Sequence, residues 1–165
     1  MSNEESKKEL EIYLQDHYAG AVGAIELLEH LIQAHAAKPL ETFFTELHAD
    51  VKADHEQLHN LINALGFEES GVRNAGAWIA EKLSRAKLGF SGDETSGLGL
   101  LEALETLLLG VTGKKVLWRA LAAAREASPI LQRTDFAYLE KRAMEQADRV
   151  EAQRLETARA TFRGV

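Results

Sequence analysis

The chain has no cysteine, and that one absence removes disulfide frameworks, thiolate zinc sites, iron–sulfur clusters and nucleophilic thiols together. Prolines number two and tyrosines three, and no segment alternates apolar with polar residues over a strand's length, so the sequence carries no strand signal. No apolar run approaches the roughly 18 residues that a membrane span needs. The opening MSNEESKKELEIY is charged and lacks the apolar core of a secretory signal. These absences predict a cytoplasmic, soluble protein with no membrane partner. Basic residues are also few: 19 against 26 acidic ones give a net charge of -7 with no basic block. A sequence-independent grip on nucleic acid is therefore excluded.

What is present is helix. With 45% hydrophobic residues in 165, the chain is long enough to bury a continuous core as one domain, 1–165, without a metal to staple it. Ser2 and Glu5 fit a capping box, which starts a first helix over about residues 4–36. Lys38-Pro39 interrupts it, and Pro39 serves as the first residue of a second helix over 39–65, with Gly66 as its stop. Residues 67–95 read as a connector holding a short amphipathic helix with Val72, Trp78, Ile79 and Leu83 on its apolar side. A third helix spans about 96–127 until Ser128-Pro129, and a fourth spans 134–162 behind the capping residues Thr134-Asp135. Short loops make antiparallel hairpins of helices one and two and of helices three and four, while the connector is long enough to cross over.

The twelve residues DVKADHEQLHNL, at 50–61, crowd carboxylates and histidines into an apolar helical stripe. Such a segment either holds a metal or gives a helix its polar side. Together with YLQDHYAGAVGAIELLEHL in the first helix and HADVKADHEQLHNLINALG in the second, it resembles the first hairpin of small bacterial ferritin-like proteins. The resemblance implies an all-α ferritin-like four-helix bundle: two antiparallel hairpins joined by a long crossover containing a short helix. It also implies a metal site built from one glutamate on each of two helices and Glu-x-x-His on each of the others, all facing inward.

Orientation on a helical wheel tests that implication, because only inward side chains can share an ion. In helix two, Phe43, Phe44, Leu47, Val51 and Leu58 share one arc, with Asp54 inside it and His48, His55 and His59 at its edge. Glu56 and His59 have the ligand spacing, but Glu56 points away. By the resemblance, Asp54 or His55 takes the family's histidine position. Helix one turns His17, Ala21 and Ala24 inward, and Ala21 stands where the family carries a ligand glutamate. His17 is either a substitute ligand or a core-edge imidazole hydrogen-bonded to a neighbour.

Helix three has two apolar faces. Its inner arc reads as Leu101, Leu104, Leu108, Val111, Lys115 and Trp118, with Glu105 at the edge. Helix four turns Glu140, Ala143, Ala147, Val150, Glu151 and Arg154 inward, so Glu151 and Arg154 keep the ligand spacing with arginine in place of histidine. Arginine has no acceptor atom and cannot coordinate a cation. Lys115 and Arg154 are thus expected to pair with Glu105 and Glu151 in the core, unless Glu151 and Arg154 lie at a solvated seam.

The reading these residues favour is a metal-poor, non-catalytic bundle that acts through association or ligand binding, with no cofactor. The alternative is a diiron or dimanganese carboxylate protein handling iron, oxygen or peroxide with ligands from His17, Asp54, His55, Glu105 and Glu151. Leu107, Leu117 and Leu121 fall opposite the inner arc of helix three, a second apolar face that either Trp78, Ile79 and Leu83 of the connector cover or a symmetric partner does; the expectation is a homodimer that buries this face.

Overall fold

The computed structural model describes residues 2–67 and 95–165, and among these it is helical, with no strand. Helix α1 spans Asn3–Ala34, α2 Leu40–Ala64 and α3 Gly97–Ala123. A 3₁₀ turn at Arg125–Ala127 and a short α4, Pro129–Arg133, lead into α5, Phe136–Thr161. The expected connector and its short helix, including Val72, Trp78, Ile79 and Leu83, lie outside the described residues. No helix among the described residues is long and apolar enough to cross a membrane.

The ends follow from local chemistry. The Ser2 hydroxyl accepts from the Glu5 amide at 3.2 Å, and the Glu5 carboxylate accepts from the Ser2 amide at 2.7 Å, closing the predicted box. Ser96 and Asp135 cap α3 and α5 in the same way, each accepting an amide three residues on, at 3.1 and 3.0 Å. Gly66 stops α2 in the left-handed region at φ 73°. Gly97 opens α3 against the far end of α5, where a Cβ would sit 2.5 Å from the Thr161 hydroxyl oxygen. Pro39 stands just before α2 rather than inside it. Ser128-Pro129 does more than end a helix: Ser128 caps α4 through the Ile130 amide, with proline at the first helical position, where its missing N–H costs nothing.

Pairings across the helices give their directions. Glu29 meets His48 while Tyr18 meets His55, so α1 and α2 run antiparallel. Arg119 meets Glu140, Lys114 meets Gln146 and Glu105 meets Arg154, so α3 and α5 do likewise. Two apolar clusters result. One joins Leu14, Leu58, Leu61, Trp118, Phe136 and Leu139; the other joins Leu28, Phe44, Leu47, Leu104, Leu107 and Val150. Helix α2 ends at the first cluster and α3 begins at the second, at opposite ends of the helices.

The seam of α2 follows the wheel reading, with Phe44, Leu47, Val51, Asp54 and Leu58 buried, whereas those of α3 and α5 depart from it. Helix α3 buries Leu101, Leu104, Val111 and Trp118 of the expected arc but also Leu100, Leu107, Leu117 and Leu121, so its inner stripe is broader than expected and its centre is rotated by about one residue. Leu107, Leu117 and Leu121 are therefore core residues of this chain, each at most 2% exposed, and cannot form the predicted dimer face. The rotation has a physical cause: a helix apolar on nearly every side has no sharp polar face to fix its orientation from sequence. Helix α5 is rotated similarly. It buries Phe136, Leu139, Ala143, Gln146 and Val150, in alternating steps of three and four, and Thr157 two turns further on.

Candidate functional site: a polar layer beside an internal cavity

Between the two apolar clusters each long helix contributes one polar residue at its seam: His17 from α1, Asp54 from α2, Lys114 from α3 and Gln146 from α5. Asp54 and Gln146 are both 2% exposed. The Lys114 ammonium donates to Asp54 Oδ2 at 2.6 Å and also to Gln146 Oε1. Gln146 Nε2 donates to the same Asp54 oxygen at 2.7 Å, which closes a triangle. Arg142 Nε donates to Asp54 Oδ1 at 2.8 Å. On the solvent side, Arg142 lies 3.7 Å from Asp50 Oδ1, and Arg149 pairs with Asp50 Oδ2.

Burial alone would raise the Asp54 pKa. The Lys114 charge, with hydrogen bonds from Lys114, Gln146 and Arg142, outweighs it and holds the carboxyl below its ordinary value. Lys114 is pulled the other way: burial lowers its pKa, and Asp54 only partly restores it. The layer is thus a buried ion pair whose geometry satisfies both oxygens of the acid, the condition under which burying two charges is tolerable.

One wall of this layer faces a cavity of about 190 Å³. Its apolar sides come from Ala21 and Ala24 of α1, Val51 and Leu58 of α2, and Leu107 and Leu117 of α3. His17, Asp54, His55, Lys114 and Trp118 complete it. The exposed lining residues Asp16, Gly20 and Gly110 mark a mouth between α1 and α3. A Cβ built on Gly20, Gly110 or Gly113 meets nothing within 4 Å, so these glycines widen the void rather than permit contact. His17 lies edge-on to Tyr13 at 4.8 Å between ring centres, and His55 lies against Tyr18 at 4.2 Å. Burial lowers the pKa of both histidines; Asp16 partly opposes this at His17, whereas His59 reinforces it and Glu56 opposes it at His55. Two buried nitrogens, His55 Nε2 and Trp118 Nε1, have no hydrogen-bond partner.

The sequence-predicted residues separate into two places. His17, Asp54 and His55 line one cavity. Glu105 and Glu151 do not reach it: Arg154 grips Glu151 through two bonds of 2.6 and 2.8 Å and reaches Glu105 at 3.3 Å. Glu105 is half exposed, so this trio lies on the flank of α3 and α5 rather than in the core. The Arg154 bonds lower the Glu151 pKa, and Glu151 raises that of Arg154. Lys115 was expected in the core; its neighbour Lys114 takes that place, a consequence of the same rotation of α3.

The donor set does not fit a metal pair. Asp54 accepts three N–H groups from a lysine, an arginine and a glutamine, and an added cation would have to displace these donors or sit beside the Lys114 ammonium. Among the described residues no three His, Asp or Glu side chains are arranged to hold an ion. Sequence reasoning missed Lys114, Arg142, Gln146 and Arg149. The signal available for two of them was the alternating three-and-four spacing, which makes Lys114 and Gln146 polar interruptions of largely apolar seams.

No family model, curated protein or solved structure matches the chain.

Proposed function

We propose that this protein is a metal-independent four-helix bundle of the ferritin-like, crossover kind, and that it binds a small molecule in the cavity between α1, α2 and α3. The long helices pair antiparallel within each hairpin, and α2 ends opposite the start of α3, as a bundle with one crossover requires. In this reading Lys114 and Arg142 supply the positive charge that a metal supplies in related architectures, and the layer organises the core instead of catalysing a reaction.

The observation that carries the proposal is the cavity itself: mostly apolar walls, a few polar residues at one edge, and a mouth to solvent. Concave, largely apolar sites with a few convergent polar groups are what small-molecule binding uses. A well-packed core, by contrast, leaves few voids larger than a water.

Thermal melting of exhaustively chelated protein tests this against a panel of uncharged single-ring compounds. A binder present at about 100 times its Kd stabilises by about 2.7 kcal/mol, which at about 2–4 °C per kcal/mol raises the midpoint by several degrees. The proposal fails if no compound raises the midpoint while chelation lowers it and iron or manganese restores it.

A further inference from the structure

The charges that line the cavity do not cancel. Lys114 and Asp54 match each other at 2.6 Å, and burial holds His17 and His55 toward their neutral forms. What is left is Asp16, an exposed carboxylate at the mouth that makes no hydrogen bond or ion pair among the described residues. His17 beside it lies edge-on to Tyr13 and makes no hydrogen bond among the described residues, so its neutral imidazole keeps one nitrogen free to accept. From Glu9 to its end α1 carries Glu9, Glu11, Asp16, Glu26 and Glu29 and no lysine or arginine, and on the α3 side the mouth is Gly110. An uncompensated carboxylate and an unused acceptor therefore meet whatever enters, a field that draws a cation and repels an anion.

The interior sets the rest of the guest. Its walls are mostly apolar, and the Lys114 ammonium already holds the inner carboxylate, so a second cation going deeper would lose its water and meet a like charge. A cation that uses this cavity must bury an apolar group and keep its charge at the mouth. The volume of about 190 Å³ is somewhat larger than the ~150 Å³ void that holds benzene in an engineered protein core, so the apolar group is a single ring on a short arm.

We infer that the guest is a small protonated primary amine: its ring fills the apolar cavity, and its ammonium stays at the mouth and donates to the Asp16 carboxylate and the His17 imidazole. This rests on the ligand-binding reading above, and the probes separate the two. At pH 7 and low ionic strength, benzylamine, benzyl alcohol and benzoate are titrated by calorimetry into the full chain and into Asp16→Asn, an exposed position where the change leaves the core untouched. The Gly20 and Gly110 amide resonances are followed by NMR. Both benzyl compounds bind and move these two resonances. Benzylamine binds about 2–5-fold more tightly than benzyl alcohol, the worth of one ion pair at an exposed position, and benzoate binds most weakly. Asp16→Asn removes that margin and leaves benzyl alcohol within about twofold, and about 0.3 M salt shrinks the margin in the wild type.

Equal binding of the amine and the alcohol, a margin that survives in Asp16→Asn, or tightest binding by benzoate overturns the amine inference and leaves ligand binding standing. If none of the three binds, or if binding leaves the Gly20 and Gly110 resonances unmoved, the cavity takes no ring and both readings fall.

Discussion

Replacing Asp54 by alanine removes the acceptor on which Lys114, Arg142 and Gln146 converge. Lys114 would then keep a charge in a buried position with only the Gln146 carbonyl for company, and Gln146 Nε2 would lose its partner. Breaking a buried pair in this way costs about 3–5 kcal/mol. For a domain of this size that lowers the thermal midpoint by about 6–20 °C, at about 2–4 °C per kcal/mol. Lys114→Met is milder, because Asp54 keeps Arg142 and Gln146; what it strands is the Gln146 carbonyl, at about 1–3 kcal/mol. The triple variant Asp54→Leu/Lys114→Met/Gln146→Leu replaces the whole triangle by apolar groups, leaving Arg142 to Asp50. It should lie within about 1–2 kcal/mol of wild type or above it, since apolar substitution of a buried ionic set is often neutral or stabilising. Urea unfolding measures all three. Additive losses, with the triple variant least stable of all, would refute the idea that the layer is one coupled unit. Arg154→Ala serves as the comparison, because it strips a pair on an exposed flank and should move the midpoint less than Asp54→Ala.

Three further outcomes follow from the same geometry. The His17 and His55 pKa values are lowered on folding, so the unfolded chain takes up protons first; stability is present above about pH 6.5 and lost as pH falls from there through the folded values, and urea midpoints between about pH 8 and 5 should drop with a slope that His17→Gln/His55→Gln flattens. A rise in stability on acidification over that range would contradict it. Gly113→Ala meets no neighbour and should stabilise α3 by about 0.5–1 kcal/mol, whereas Gly113→Leu should plug the cavity and abolish ring binding in calorimetry; retained binding would mean the guest sits elsewhere. Leu117→Asp places an unpaired carboxylate at a core position 1% exposed and should leave the chain largely unfolded by circular dichroism, while a folded monomer would restore the exposed apolar face that the sequence suggested.

Helix existence and capping were legible because they depend on short-range chemistry: Ser2 with Glu5, Gly66, and Asp135 each act within a turn of the backbone they cap. Helix α2 was legible in orientation too, since polar residues crowd its outer side and leave Asp54 as the exception on an apolar arc. Helix α3 was not. Its apolar residues cover most of its circumference, so the difference between Lys114 and Lys115 turned on a rotation that only the partner helices impose. The partners of Asp54 on α5, at positions 142 and 146, depend on the register of one helix pair against another, which local spacing does not encode. The cavity is further still from the sequence: three glycines without neighbours become a void only when α1 and α3 meet.

The claim that cationic side chains occupy this core layer in place of metal is tested most directly by metal loading. Protein purified without chelator is incubated with excess iron(II) or manganese(II), desalted and subjected to elemental analysis, alongside Asp54→Ala. The account predicts well below one equivalent per chain in both. Roughly two equivalents in the wild type, as a paired carboxylate site would hold, and their loss in Asp54→Ala, would contradict it.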